Sequence, residues 1–322
     1  VTRVAIVDPA VREGLLEALT ARVPAGWTVG RDPADAHVLV TENVDVDAAL
    51  LRSAGGDVRL VAALDTGAAR VDVGGVPVLS LPNTALVGVA EHAVALILAS
   101  LRRLVAVDRA TRERAYLADR SQPTLTNQKD YTYNWIGLED FGTLYGRTVG
   151  LVGLGTIGRA TAARLRPFGA KLRYTQRTRL PAAEEAALGV AYRSLDDLLA
   201  ESDVVSLHHR FAEGDGGNDA QFDRAAFARM KPGAVFVNTA RGRLVDEEAL
   251  AEALTSGRLG AAALDVFRYE PLPEGHPFLS IGSDRLLLTP HVAGGPIDEA
   301  WRLMADAIVE HATTLLKEKD HA

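Results

Sequence analysis

The chain has 322 residues, 48 % apolar and 24 % charged, with a formal net charge of −7 and no cysteine. That length suits two domains rather than one small core, and the composition is that of a globular chain, not a disordered one. The acidic balance argues against a nucleic-acid partner, and the lack of cysteine excludes disulfides, thiolate nucleophiles and Cys-based zinc sites. It fits a reducing cytoplasm, and no metal site is expected.

In chain order, Val1–Asp8 reads as a short strand entering a turn, without the basic-then-apolar pattern of a signal peptide. Val4–Val7, Val38–Val40, Leu60–Ala63 and Val78–Leu79 are candidate strands, with helical patterning between the earlier ones, as in Val11–Ala21. Thr84 to Leu101 is the most apolar stretch. Glu91, His92 and Ser100 interrupt it, so it reads as a buried helix, not a membrane span. The helix Gly88–Leu104 then carries the chain forward into a second domain. Leu117–Tyr145 is the least patterned segment, a surface loop with many polar and aromatic residues.

A second series of candidate strands follows: Thr148–Val152, Lys171–Tyr174, Val190–Tyr192, Val204–Leu207, Ala234–Asn238, Ala261–Val266 and Leu286–Leu288. Helices fit between most of them: Ile157–Leu165, Leu195–Ala200 with Ser194 and Asp197 in capping-box spacing, and another after Asp246. Strands alternating with helices imply parallel sheets covered by helices. The final helix, Asp298–Lys317, has no later strand to reach and is expected to return to the first domain. The expected fold is α/β, with two Rossmann-like domains and a cleft with a hinge between them. The first domain is discontinuous (1–98 plus 294–322) and the second (99–293) is inserted in it.

Gly153-Leu154-Gly155-Thr156-Ile157-Gly158 follows an apolar strand and opens a helix. The first glycine permits a tight turn, the second lets backbone approach a pyrophosphate, and the third lets helix pack on strand. The helix N-terminus then favours the phosphate charge. This context identifies 99–293 as a dinucleotide-binding domain. The next strand ends at Gln176, where an acidic residue would hold a ribose 2′-hydroxyl, and Arg177 and Arg179 follow. A missing carboxylate removes repulsion toward a 2′-phosphate and the arginines can pair with one, so NADP is favoured over NAD. Solvated turn residues are the plain alternative.

Three polar clusters follow the last strands. They are Val237-Asn238-Thr239-Ala240-Arg241-Gly242, Leu264-Asp265-Val266-Phe267-Arg268-Tyr269-Glu270-Pro271 and Leu288-Thr289-Pro290-His291-Val292-Ala293-Gly294. Open α/β sheets bind ligands at such strand ends. Hydride addition to a carbonyl builds negative charge on oxygen, so a fixed cation and a proton donor lower the barrier. A carboxylate beside a histidine favours the protonated ring. Singly, each residue has a structural reading: Arg241 in a surface ion pair, Glu270 capping a turn, His291 satisfied within a loop.

Together, in this order, the clusters resemble the D-isomer-specific 2-hydroxyacid dehydrogenase family, which includes phosphoglycerate, glyoxylate/hydroxypyruvate, formate and phosphite dehydrogenases. Pro82-Asn83-Thr84, Ala90-Glu91-His92 and Leu64-Asp65-Thr66-Gly67-Ala68 resemble further segments of the family's pattern, so the likeness spans nearly the whole chain. It implies that Arg241 binds the substrate carboxylate and polarises the carbonyl, His291 gives a proton to the carbonyl oxygen, and Glu270 partners the imidazole. It implies that Asp265 holds the nicotinamide carboxamide, with Thr239 and Ala240 also in the cofactor site. Amides near Thr66 and Gly67 hold the carboxylate, which makes 1–98 plus 294–322 the substrate domain. The implied reaction reduces a small 2-oxo acid to an R-configured 2-hydroxy acid.

Several residues depart from the family's pattern. Asp65 stands where glycine is usual, an extra negative charge beside the substrate segment. The Cys/His-x-Pro-Leu run reads His208-His209-Arg210-Phe211, so that Arg210 replaces a proline of the adenosine pocket and is a further candidate for a 2′-phosphate. The loop Ala212–Asp219 is longer than usual, and Pro296 replaces a polar residue. The segment Asn127–Trp135 corresponds to a dimer-interface region of relatives. A homodimer is therefore implied, with Lys129, Tyr131 and Tyr133 as candidates for substrate choice. Formate or phosphite oxidation and a dinucleotide-sensing co-repressor are the alternatives within the same family.

Overall fold

A computed structural model describes residues 2–7, 13–41, 44–55, 57–64, 71–81, 84–214, 216–294 and 297–319. Asp65, Thr66, Gly67, Pro82, Asn83 and Pro296 lie outside the described residues. The chain divides into two compact units, Val1–Val87 with Gly294–Ala322, and Gly88–Ala293.

The first unit runs β1 (Arg3–Ile6), α1 (Glu13–Thr20), β2 (Thr28–Gly30), β3 (Val38–Thr41), α2 (Ala48–Ser53), β4 (Leu60–Leu64) and β5 (Val78–Leu81). Its sheet has the order β2-β1-β3-β4-β5, with every pair parallel. A parallel sheet covered on both faces needs apolar residues on both, and all four residues of β3 are buried. One face packs through Val4, Ile6, Val38 and Val40, the other through Ala5, Leu39 and Val61.

The helix α3 (Thr84–Arg102) passes from the first unit into the second and ends at Arg102, because Arg103 breaks the helix at φ +53° before α4 (Leu104–Arg112) begins. No residue of α4 is buried. The stretch after it is irregular apart from one 3₁₀ turn at Ala118–Arg120.

The second unit then continues with β6 (Thr148–Val152), α5 (Thr156–Leu165), β7 (Lys171–Thr175), α6 (Ala182–Leu188), β8 (Val190–Tyr192), α7 (Leu195–Glu201), β9 (Val204–Leu207) and α8 (Arg224–Arg229). It closes with β10 (Ala234–Asn238), α9 (Glu247–Thr255), β11 (Leu259–Leu264) and β12 (Leu286–Leu288). These strands form one parallel sheet in the order β12-β11-β10-β9-β6-β7-β8. Local chemistry starts the helices. Ser194 accepts from the Asp197 amide at 3.2 Å, Asp223 from Ala226 at 2.8 Å and Asp246 from Ala249 at 3.0 Å. One core lies on each face, centred on Phe236 and Phe227 on one side and on Leu151, Tyr174 and Val237 on the other. Ile97 and Leu101 of α3 join the second of these.

The sequence places the penultimate strand at Ala261–Val266, but β11 stops at Leu264. The Asp265 amide still reaches the Asn238 carbonyl at 3.0 Å, while its carbonyl and carboxylate are taken by the turn after β12, so the ladder ends there. The last helix, α10 (Ile297–Lys319), belongs to the first unit and lies against α1. A Cβ on Gly14 of the segment in α1 would stand 2.8 Å from the Trp301 indole, so the two helices approach closely there. No helix among the described residues is long and apolar enough to cross a membrane.

Candidate active site

Because all seven strands of the second sheet run parallel, their C-terminal ends share one edge. In spatial order that edge carries His291 after β12, Asp265 and Glu270 after β11, Arg241 after β10, His208 after β9, the glycine turn after β6 and Gln176 after β7. The strand order reverses direction between β9 and β6, the point at which open parallel sheets leave a ligand crevice.

The loops are fixed to one another before any side chain reaches outward. Asn238 at the end of β10 donates from Nδ2 to the Arg241 carbonyl (2.9 Å) and accepts from the Ala240 amide at Oδ1 (2.9 Å). Gly242 lies so close to the next loop that a Cβ would collide with the Phe267–Arg268 peptide. That next loop is held by Glu247 of α9, which is buried. It accepts from the Arg268 amide at 2.9 Å and meets His276 Nε2 at 3.1 Å. Arg241 itself is exposed, with Nη1 donating to the Ala240 carbonyl at 2.6 Å.

Glu270 works in two directions. Oε1 accepts the Phe267 amide at 2.9 Å, which folds its own loop, and Oε2 meets His291 Nδ1 at 2.6 Å. The imidazole is about half exposed (52 %), so Nδ1 is spoken for while Nε2 is left as the ring's other nitrogen. His291 sits at φ +54°, a left-handed conformation uncommon for a side-chain-bearing residue. Backbone of this kind persists when its surroundings hold it. Here the His291 amide donates to the Asp265 carbonyl at 2.8 Å, and the next two amides bind the Asp265 carboxylate, each at 2.9 Å.

The glycine turn fits a dinucleotide. Gly153 has φ +93°, and a Cβ there would stand 2.7 Å from the His209 amide nitrogen. A Cβ on Gly158 would strike the Gly153 carbonyl, whereas the space beside Gly155 is open. Gly155 is the N-cap of α5 and offers no side-chain cap, so the Thr156, Ile157 and Gly158 end of the helix presents its amides to an anion. The Thr239 hydroxyl and His208 Nδ1 are both shut from solvent without a hydrogen-bond partner among the described residues. His208 binds Ser206 Oγ through Nε2 at 3.0 Å, and burial pushes its ring down to about 3, so it stays neutral beside the turn.

Gln176 braces the turn, accepting the Leu154 amide at 3.2 Å and donating to the Thr178 carbonyl at 2.6 Å. The two arginines beyond it differ. Arg179 forms a two-pronged pair with Glu185 (2.8 and 2.9 Å) and stacks on Tyr192, and with Tyr174 it holds the Glu185 carboxyl down at about 2. Arg177 is exposed. Further along the edge, Asn218 binds the Arg210 carbonyl and the Ala212 amide, both at 2.7 Å, which closes the long loop.

Residues 94–293 match the family described as D-isomer specific 2-hydroxyacid dehydrogenase, NAD binding domain. The chain belongs to this family. It is 34 % identical over 317 residues to the D-3-phosphoglycerate dehydrogenase of Mycobacterium tuberculosis, a match that covers 94 % of the chain but 55 % of the relative. The chain thus spans about half the length of these phosphoglycerate dehydrogenases. It is also 34 % identical to a glyoxylate reductase of Thermofilum pendens, covering 87 % of the chain and 77 % of that protein. Among solved structures, a glyoxylate reductase from Paecilomyes thermophila superposes with a TM-score of 0.63 at 26 % identity, over 96 % of this chain and 93 % of that one.

Among the supporting residues, Glu247 and His276 carry no signal in the sequence, and Asn238 and Thr289 appear only inside the polar clusters, with no role of their own. Each acts on a backbone group or side chain that is remote or unpatterned. Glu247 was readable as part of the first turn of α9, yet nothing local shows that it holds an amide 21 residues away.

Proposed function

We propose that this dehydrogenase reduces a small 2-oxo acid to its R-configured 2-hydroxy acid, with NADPH as the preferred donor. One observation carries the reading: the His291–Glu270 pair at 2.6 Å stands one strand from Arg241, on the same sheet edge as the glycine turn. Glyoxylate and hydroxypyruvate reductases at 34 % identity support a small substrate.

When bound, the reduced nicotinamide supplies a hydride to the carbonyl carbon. Arg241 pairs with the substrate carboxylate and polarises the carbonyl. His291 gives the proton at Nε2 to the oxygen, and Glu270 holds Nδ1 so that the ring points one way. Asp265 is assigned to the nicotinamide carboxamide on the family likeness. The second unit is the dinucleotide domain and the first the substrate domain. Thr66 and Gly67 are assigned to the carboxylate, and Asp65 to substrate choice, on the family likeness.

Since Arg179 is engaged by Glu185, the 2′-phosphate reading rests on Gln176 and Arg177, and Arg210 is kept as a candidate for its place after β9 alone. The test is a panel of glyoxylate, hydroxypyruvate, a branched 2-oxo acid and phosphonopyruvate, each assayed with NADPH and NADH. Turnover of at least one acid with NADPH favoured is the expected outcome. Arg177→Ala should raise the KM for NADPH by about tenfold, the scale of one charge-assisted contact, and leave NADH alone. A preference for NADH overturns the cofactor assignment. Tight dinucleotide binding with no turnover of any acid overturns the enzymatic one.

A homodimer is part of the same proposal. Leu125 (95 % exposed), Tyr131 (64 %), Tyr133 (67 %) and Trp135 (42 %) are exposed apolar side chains of the segment after α4, as is Leu104 within that helix. A groove of about 290 Å³ lies there between Leu104, Tyr133, Trp135 and Phe141. Exposed apolar patches of this kind mark interfaces. Sedimentation should give twice the chain mass, and Leu125→Asp with Tyr133→Asp should give one. A monomeric wild-type protein removes the proposal.

A further inference from the structure

We propose that His92 is a positioning residue for the His291 turn, acting through Thr289 and Asp265 as a directed chain of hydrogen bonds. The inference rests on the reading of His291 as the proton donor.

The end of the chain is Asp265, whose carboxylate has no solvent exposure. A buried carboxylate needs donors, and among the described residues this one has three: Thr289 Oγ1 at 2.6 Å and the Val292 amide at 2.9 Å on Oδ1, and the Ala293 amide at 2.9 Å on Oδ2. The two amides flank His291 on its C-terminal side, and the His291 amide itself goes to the Asp265 carbonyl at 2.8 Å. The left-handed turn that aims the imidazole is therefore hung on Asp265.

The direction of the next link follows from proton counting. A threonine hydroxyl has one proton. Thr289 Oγ1 lies 2.6 Å from Asp265 Oδ1 and 3.5 Å from the Leu264 carbonyl, so the proton goes to the nearer acceptor, Asp265. Its oxygen is then an acceptor, and the group within reach is His92 Nε2 at 2.9 Å. Nε2 must carry hydrogen in this arrangement, which fixes the tautomer of a neutral ring. The same nitrogen is 3.6 Å from Asp265 Oδ1, so any positive character on the ring also favours the carboxylate.

His92 is suited to the task by its mounting. Its side chain is 22 % exposed, on a helix whose neighbouring Ala90 and Ala93 are fully buried. The adjacent Glu91 reaches Arg164 of α5 at 3.2 Å, which ties α3 to the helix that opens at the glycine turn. Thr289 thus receives a donor from a rigid element rather than from a loop. With that donor present the hydroxyl cannot rotate away, Oδ1 of Asp265 keeps its place, and the two amides keep theirs.

The test uses the full chain. His92→Leu should lower kcat about tenfold, the upper end for one buried neutral hydrogen bond, with the KM for the acid and the dinucleotide affinity within about twofold of wild type. His92→Gln, which can place an amide N–H near the Nε2 position, should recover most of that loss. Thr289→Val should resemble His92→Leu, and the double variant should be no worse than Thr289→Val, because both break one chain. An NMR readout separates this from catalysis: the Nδ1 proton between His291 and Glu270 should give a low-field resonance that shifts or broadens in His92→Leu and returns in His92→Gln. Wild-type kcat in His92→Leu, losses that multiply in the double variant, or an unmoved resonance would each overturn the inference. If the wild-type protein turns over no 2-oxo acid, the catalytic reading fails while the resonance still decides the hydrogen-bond chain.

Discussion

Replacing His291 with asparagine is expected to lower kcat for 2-oxo acid reduction by about 10²- to 10⁴-fold, the range a positioned general acid contributes, while dinucleotide affinity stays near wild type. Asparagine keeps a polar side chain and tolerates the left-handed backbone at φ +54°, so the turn itself survives the change. It has no proton to give at neutral pH. The hydride then has to reach a carbonyl whose oxygen charge is met by Arg241 alone. Glu270→Gln should cost less, because Phe267 still has an oxygen to donate to and the ring keeps a neutral hydrogen-bonding neighbour at Nδ1. The ordering His291→Asn below Glu270→Gln below wild type, measured as kcat at saturating substrate and dinucleotide, is the expected result. Wild-type kcat in His291→Asn would remove the proton-donor role, and a matching loss of dinucleotide affinity would point to a collapsed loop instead.

The parts of this protein that sequence reveals are those in which function and fold use the same local signal. The buried strands of a parallel sheet are short apolar runs, and the residues following each run fall on one edge whatever the order of the strands. The placement of Arg241, Glu270 and His291 on one edge was readable for that reason, as was that of the glycine turn between β6 and α5. Elements without a buried run were not. β2 is one exposed and two half-buried residues, and α4 buries none of its nine. Charged residues in turns were readable only as a class. Arg177 and Arg179 look alike in sequence, yet Glu185 six residues on captures one of them. The second layer of the site is least legible of all. His92 and Thr289 are 197 residues apart, and no periodicity links a helix position to a strand end across that distance. The family likeness drew attention to His92 without saying what it touches; proton counting at Thr289 supplies the reason.

Gly242→Ala is expected to be nearly as damaging as loss of the Arg241 side chain, although it adds only a methyl group. A Cβ at this position would collide with the Phe267–Arg268 peptide, and backbone cannot step aside as a side chain can. The two loops are also braced from behind, by Asn238 on the Arg241 carbonyl and by Glu247 on the Arg268 amide. Relief therefore comes from moving the Arg241 loop outward, and a guanidinium displaced by an ångström no longer meets the carboxylate and carbonyl together. Arg241→Ala should lower kcat/KM by about 10²- to 10³-fold, the scale for one oriented donor to developing charge, with both kcat and KM affected. Gly242→Ala should fall in the same range, Asn238→Ala between it and wild type, and Arg241→Lys should recover charge without the paired geometry. Dinucleotide affinity reports whether the glycine turn, two strands away, is left intact. A Gly242→Ala variant with kcat/KM within about threefold of wild type would mean that the loop spacing does not set the position of Arg241, and the assignment of that arginine to the substrate would then have to rest on its charge alone.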